Sequence, residues 1–593
     1  VFFLIRNHRT LEQILLPLEI PRRFHNPSLL CFLFLLSVLV LVRGEIGGSI
    51  DIIVRFGTQR RASMSTFLMR RAVGRNVSRG VNFLPTRCLC SDVAAGGGGG
   101  ANSGHAVERD AGHEERGGVT TKQYDVAIIG GGMVGLALAS ALSSIPLTKH
   151  LKVAIVDPNP ALSLRNYYDK SEMPDSRVST ITPATISLFK DVGAWEHVQQ
   201  QRHAFFDQMQ VWDYTGLGYT RYNARDVGKE YLGCVVENKV LCSSLLLSLL
   251  QDADSRKTII PAKLTSMTIP PKSPSSGSST GHTVDKLSGM AKSDEPFEQI
   301  QLRQLAKLEL SDGQHIYSKL VVGADGAKSH VREMAGIKTS GWNYSQSGVI
   351  CTVEHTMENH CAWQRFLPSG PIALLPIGDK FSNIVWTMGS DDSTRHKLMS
   401  VDDFVEAVNH ALDHGYGPHP QSSSLDHYIE SLPWITGPGT LSTREHFEVP
   451  PKVINVVSER MAFPLSLMHA HNYATSQVVL IGDAAHAVHP LAGQGVNLGF
   501  GDASSLAKVI AEGLSLGADI ADLALLKKYE KERKAANVTM MAILDGVQKA
   551  YSVDFGPINL VRAAAFHGAQ YIAPLKKSII SYAMGDQKWP LFS

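Results

Sequence analysis

The sequence predicts an α/β fold, extended by an antiparallel sheet and a C-terminal helical region. Three observations carry this. An apolar run at 124–129, a glycine turn, an alanine- and leucine-rich stretch at 133–142 and a second apolar run at 152–156 read as strand, helix, strand, a βαβ unit. Far along the chain, residues 477–481 again read as a buried strand entering a glycine-rich turn and a helix. Between them lie strand-like runs separated by turn signals, such as 372–377, then Gly378 and Asp379, then 383–386, as expected of an antiparallel sheet.

The two distant strand–turn–helix units imply one Rossmann-like domain assembled from discontinuous segments. The expected division is residues 124–230, 301–345 and 460–536 for that domain. Residues 231–300 and 346–459 form a second, substrate-binding domain, and 537–593 a helical region with patterns at 540–551 and 560–572. Residues 270–294, rich in Ser, Pro, Gly and Lys, read as a disordered surface insertion.

At 593 residues, with 44% hydrophobic and 19% charged residues, the chain has the composition of a globular protein with large cores. A formal net charge of +2 gives no global electrostatic reason to expect nucleic acid. The seven cysteines contain no CxxC pair and no spaced Cys/His set. A disulfide framework or metal centre is therefore not expected, and a reducing compartment fits.

Residues 1–123 read as leader, transit peptide and linker. The apolar stretch at 29–42 has 14 residues, short of the about 20 a spanning helix needs. From Met64 to Cys90 there are five arginines, several serines and no acidic residue, the composition of an organelle transit peptide. Met64 is the expected start, and the glycine run 96–100 a flexible linker.

Gly130, Gly132 and Gly135 fit GxGxxG. The first glycine permits a tight turn, the second admits a pyrophosphate to the backbone, and the third lets helix and strand approach. The free N–H groups of the helix start favour phosphate. Asp157, ending the second strand, is placed to accept from a ribose hydroxyl. These residues alone leave FAD and NAD undivided. Two later strands end in an aspartate beside a glycine: Asp325 with Gly326, and Gly482 with Asp483. Asp483 is suited to a ribityl hydroxyl. The turn holding Gly493, Gly495, Val496 and Asn497 opens the next helix, whose N–H groups would face a flavin pyrimidine ring and stabilise negative charge there.

The order of these three motifs resembles the flavoprotein aromatic hydroxylases. Narrower runs resemble their ubiquinone-biosynthesis branch: LGCVVEN at 232–238, AWQRFLP at 362–368 with GPIALLP at 370–376, and HPLAGQGVN at 489–497. The resemblance covers about residues 124–586.

It implies an FAD-dependent monooxygenase hydroxylating the ring of a polyprenylated hydroxybenzoate-type intermediate, with dioxygen as co-substrate. It implies that Arg177 contacts the flavin or its phosphates, that Asn238 helps hold the cofactor, and that Pro490 sits near the isoalloxazine. Arg177 reads equally as a surface ion pair, and Asn238 as a helix cap. His486 and His489 read as packing around their turn rather than as a catalytic base. A single GxGxxG leaves no separate nicotinamide domain, so electrons would come from transiently bound NAD(P)H or from ferredoxin and its reductase, the latter favoured by the resemblance. Other ubiquinone-biosynthesis proteins are expected partners, with peripheral contact on the matrix side of the mitochondrial inner membrane. The rival readings are a flavin dehydrogenase or reductase that uses no oxygen, and a non-catalytic subunit of a biosynthetic complex.

Overall fold

The computed structural model describes residues 122–163, 172–251, 256–270, 302–378, 380–420, 442 and 445–585, and the strands Phe2–Asn7, Gln13–Pro17 and Ile50–Arg55. Those three strands form an antiparallel sheet of their own, so part of the stretch expected to be leader carries strand structure. The apolar stretch at 29–42, the arginine-rich stretch at 64–90, the glycine run and all but the first residue of the 270–294 insertion lie outside the described residues. Among the described residues no helix is long and apolar enough to cross a membrane.

In the main body an eight-stranded sheet is built around four parallel strands: Lys257–Ile260, Val153–Val156, Lys122–Ile129 and His315–Gly323. Val478–Leu480 joins the last of these in parallel. The runs VAII, VAIV and LVVG are buried, as required of strands covered by helices on both faces. Helix α1 (Met133–Ser144) and helix α2 (Asn238–Gln251) pack on each other. Helix α3 (Gln494–Ser515) lies on α1. This is the doubly wound α/β half expected from the sequence.

The second sheet has nine strands among the described residues. Its spine is the strand Thr339–His355, flanked by Phe381–Gly389 on one side and Met461–Ala470 on the other, both antiparallel. The expected hairpin is present as Gly370–Pro376 and Phe381–Gly389. One pairing departs from the antiparallel expectation: Cys361–Leu367 runs parallel to Gln208–Asp213.

Sheet membership also crosses the expected segment boundaries, because pairing partners lie far apart in sequence. Lys257–Ile260 and α2, expected with the substrate-binding part, belong to the parallel sheet and its helices. Gln208–Asp213, Tyr219–Asn223 and Met461–Ala470, expected with the Rossmann-like part, belong to the second sheet. The boundary expected at 537 falls inside helix α4 (Leu523–Tyr551). Two more helices, α5 (Gly556–Tyr571) and α6 (Ala573–Ala583), complete the C-terminal region.

Candidate active site

Three glycine turns meet at the C-terminal ends of the parallel strands, where open α/β sheets receive ligands. Gly130, at φ +109°, is pressed against the second turn: a Cβ there would lie 2.3 Å from the Ala324 carbonyl oxygen. Ala324 N donates back to Ile129 O at 2.8 Å. Arg332, buried, ties the second turn to the third by donating to Ala327 O at 2.8 Å and Ala484 O at 2.9 Å. The turns are thereby one unit, although some 350 residues separate the first from the third.

They border a cavity of about 810 Å³, near the upper end of the range for small-molecule sites. Its parallel-sheet wall carries Gly132, Gly326 and Asp483, and its opposite wall carries second-sheet residues such as Gln364, Ala373 and Leu375. Helix α6 closes part of it with Ile579, Ile580 and Ala583, joined by Met584 just beyond its end.

Two long helices start at this cavity. Helix α1 has Gly132 as its N-cap, and α3 has Gly493, in the left-handed conformation at φ 59°. Neither has a side-chain cap or an acidic residue in its first turn. Each therefore leaves N–H groups and partial positive charge for an anionic or carbonyl-rich ligand. A Cβ on Gly132 would meet nothing within 4 Å, so that residue keeps open space rather than relieving a protein contact.

Of the residues singled out from the sequence, Gly132, Arg177, Asn238, Gly326, Asp483, Pro490, Gly493, Gly495 and Val496 line the cavity. The Asp483 carboxylate makes no hydrogen bond to a described residue, and the protein mass around it raises its pKa. Arg177 lines the cavity, and its half-exposed guanidinium lies 3.7 Å from Asp175. Asn238 opens α2 and accepts from Ser179 Oγ at 2.7 Å.

The others stand behind the wall. Asp157 accepts from Gly131 N at 2.7 Å and Asn159 N at 2.8 Å, which orients the glycine turn and leaves half of its acceptor capacity. Asp325 accepts from Ser329 Oγ at 2.5 Å and Val331 N at 3.1 Å, fixing the turn that follows it. Asn497 donates to Thr180 O and Gly493 O and accepts from Thr182 N and Thr185 Oγ1. Its amide is saturated, so it holds the α3 N-terminus in place and has nothing left to offer a ligand. Gly130, Gly135 and Gly482 serve the backbone geometry of the turns. His486 and His489 are both buried; His489 packs edge-on against Tyr344 with centroids 5.0 Å apart.

Sequence reading missed the supports. Glu237, 1% exposed, ends a buried strand and takes Arg202 Nη1 at 2.7 Å and Asp175 N at 3.3 Å, anchoring the segment that carries Arg177. A carboxylate closing the apolar run GCVV was the available signal. Asp502 and Asn537, both buried, and Arg533, 15% exposed, form a cluster beneath the third turn, and no local pattern marks them.

The chain matches the family model described as FAD binding domain over residues 123–425 and 444–543. It is 35% identical over 471 residues to the human protein "Ubiquinone biosynthesis monooxygenase COQ6, mitochondrial", covering 78% of this chain and 93% of that one. The protein of the same name from Xenopus tropicalis is 34% identical over 463 residues, with the same coverages. Among solved structures, pqsL, "a probable FAD-dependent monooxygenase from Pseudomonas aeruginosa", aligns with TM-score 0.52 at 18% identity, over 75% of this chain and 99% of that one. The p-nitrophenol 4-monooxygenase PnpA of Pseudomonas putida aligns with TM-score 0.53 at 14% identity, over 79% and 100%. These two likenesses establish the fold. With uncapped helix starts, a free carboxylate and a cavity of suitable volume in front of three joined turns, the chain belongs to the FAD binding domain family, as an FAD-dependent monooxygenase of the ubiquinone-biosynthesis branch.

Proposed function

We propose that the enzyme hydroxylates the aromatic ring of a polyprenylated hydroxybenzoate-type intermediate of ubiquinone biosynthesis. The observation that carries this reading is the single cavity that continues from the two helix starts to the inner face of the second sheet and to α6. Cofactor and ring would share one enclosure, and its far wall is largely apolar.

Bound FAD supplies the activation of dioxygen, of which one atom enters the ring and the other leaves as water. The protein supplies position, dryness and electrostatics. Gly132 and the α1 N-terminus would receive the pyrophosphate, with Arg177 beside it. Asp483 would accept from a ribityl hydroxyl. The α3 N-terminus, at Gly493, Gly495 and Val496, would face the pyrimidine ring and favour negative charge on it. Pro490 would border the isoalloxazine. Ala362, Ala373, Leu375 and Val385 would exclude water from the reacting ring, while Gln364 would offer it a polar contact.

The electron donor fits ferredoxin with its reductase, or NAD(P)H bound transiently. The setting would be the mitochondrial matrix, reached through a transit peptide at 64–90, with peripheral contact to the inner membrane and to other ubiquinone-biosynthesis proteins. The test is to give the purified protein a polyprenyl-hydroxybenzoate series, labelled dioxygen and each reductant. Label in the ring supports the reading. Flavin reduction with no label in any product and no hydrogen peroxide, reoxidation requiring an added quinone acceptor, would make it a dehydrogenase instead.

A further inference from the structure

Helix α4, from the C-terminal region, reaches the third glycine turn through one buried carboxylate. Asp502 has no solvent exposure. Its Oδ2 accepts from Gly482 N at 3.0 Å and meets His486 Nε2 at 2.6 Å. Its Oδ1 accepts from Arg533 Nε at 2.8 Å and Asn537 Nδ2 at 3.1 Å. Four groups thus fill the four acceptor positions of the carboxylate. Two belong to the turn that presents Asp483 to the cavity, and two belong to α4.

The arrangement is tight on every side. Gly499, three residues before Asp502, lets α3 approach so closely that a Cβ there would lie 2.6 Å from Val134 and 3.3 Å from the Gly482 Cα. Val134 is itself in the first turn of α1. Arg533 Nη2 also donates to Leu498 O at 3.2 Å and to Asn537 Oδ1 at 3.2 Å. Tyr529, on the same helix, donates to Leu480 O at 2.9 Å, at the end of the strand that enters the turn. Burial opposes ionisation of Asp502, but His486 and Arg533 overcome it and hold its carboxyl at about 2.

We propose that Asp502 is a positioning residue for the cofactor: through Gly482 N and His486 it fixes the Gly482–Asp483 turn, with Arg533 of α4 as its counter-ion. It touches neither ligand nor cavity. Asp502 adds the polar tie between α3, which starts at Gly493, and the turn at Gly482, where Gly499 supplies the close packing. Helix α4 thereby contributes to flavin binding through Arg533 and Asn537, which do not line the cavity. This rests on FAD occupying the cavity and is independent of which ring is hydroxylated.

A single loss of charge would strand Arg533 in the interior, so the decisive variant removes both charges. In Asp502→Leu/Arg533→Met the apolar pair fills the space, while Gly482 N and His486 lose their acceptor. The expected result is an apoprotein that unfolds within a few degrees of wild type but binds FAD at least tenfold more weakly in a fluorescence titration, with a shifted visible flavin band. Asp502→Asn, which keeps shape and one acceptor, is expected to weaken FAD about threefold or more. A double variant that folds and binds FAD within twofold of wild type overturns the proposal. So does a double variant that fails to fold while Asp502→Asn binds FAD normally. A wild-type protein that binds FAD but puts no oxygen into the polyprenyl ring would overturn the substrate reading and leave this one standing.

Discussion

Gly130 lies against Ala324 with no room for a side chain: an added Cβ would sit 2.3 Å from the Ala324 carbonyl oxygen and 2.6 Å from its carbonyl carbon. This contact is what joins the first turn to the second. Gly132, two residues on, has ordinary extended backbone at φ −73° and ψ −177° and open space beyond its Cα. The two glycines should therefore fail differently. Gly130→Ala should destabilise the fold by roughly 2–4 kcal/mol, through backbone collision and a strained positive φ. Gly132→Val should fold with melting temperature close to wild type yet retain little flavin, because its side chain enters the cavity. Paired melting curves and flavin-to-protein ratios check both. Normal flavin content in Gly132→Val would show that the pyrophosphate is held elsewhere.

Asp483 presents to the cavity a carboxylate that makes no hydrogen bond to a described residue. A hydrogen bond to a charged acceptor contributes about 1.5–3 kcal/mol. Asp483→Ala should therefore raise the Kd for FAD about ten- to hundredfold, with little change in the melting temperature of the apoprotein. Fluorescence titration of the apoprotein with FAD measures the first and calorimetry the second.

The parts of the fold that could be read from sequence are those whose cause is local. Strands such as VAII and VAIV are apolar throughout because helices cover both faces, and the glycines after them announce turns. The second sheet was legible only as a hairpin. Its remaining register depends on partners such as Gln208–Asp213 and Cys361–Leu367, whose sequences carry no mark of each other. In the site, residues that face the cavity through backbone, such as Gly132 and Gly493, follow from the turn motifs. Side chains were harder. Asp157, expected to serve a ribose, also holds Gly131 N and Asn159 N and keeps half of its acceptor capacity. Asn497 was expected to serve the cofactor through the N–H groups of its turn; its side-chain amide instead binds Thr180, Thr182, Thr185 and Gly493, a structural role the motif does not announce. Asp502 and Arg533 lie one helix apart, and only the packing of α3 against α4 brings them together.

The C-terminal region is pinned to the second sheet by a buried ion pair. Asp213, 1% exposed, lies 3.6 Å from Arg562, 2% exposed, and burial raises the Asp213 carboxyl despite that partner. Arg562 also lies over the rings of Tyr214 and Tyr551, and Tyr551 stacks on Phe366 at 3.8 Å. Removing one member leaves the other charged and desolvated, which costs about 3–5 kcal/mol. Asp213→Ala should lower the melting temperature by several degrees and open the chain around α5 to proteolysis. Asp213→Leu/Arg562→Met should recover much of the loss. A double variant as unstable as the single one would mean that the ring contacts of Arg562, rather than its charge, hold the region.

His489 gives the fold a dependence on pH. It is 1% exposed, and neither ring nitrogen has a protein partner. Burial lowers its pKa from the usual 6.5 to about 4, with Asp545 acting weakly in the opposite direction. The folded state therefore favours the neutral ring. Stability from this residue is fully present above pH 6.5, and it is lost as pH falls from 6.5 towards 4, because the unfolded chain takes up the proton first. The loss is roughly 3 kcal/mol over that interval. Unfolding in denaturant at pH 7.5 and pH 4.5 should show it. His489→Phe, which keeps the edge contact with Tyr344, should make the profile shallower in that window, the remaining slope coming in part from His469, which burial also lowers to about 4. If wild type and His489→Phe lose equal stability between the two pH values, the buried ring is not what makes the fold sensitive to acid.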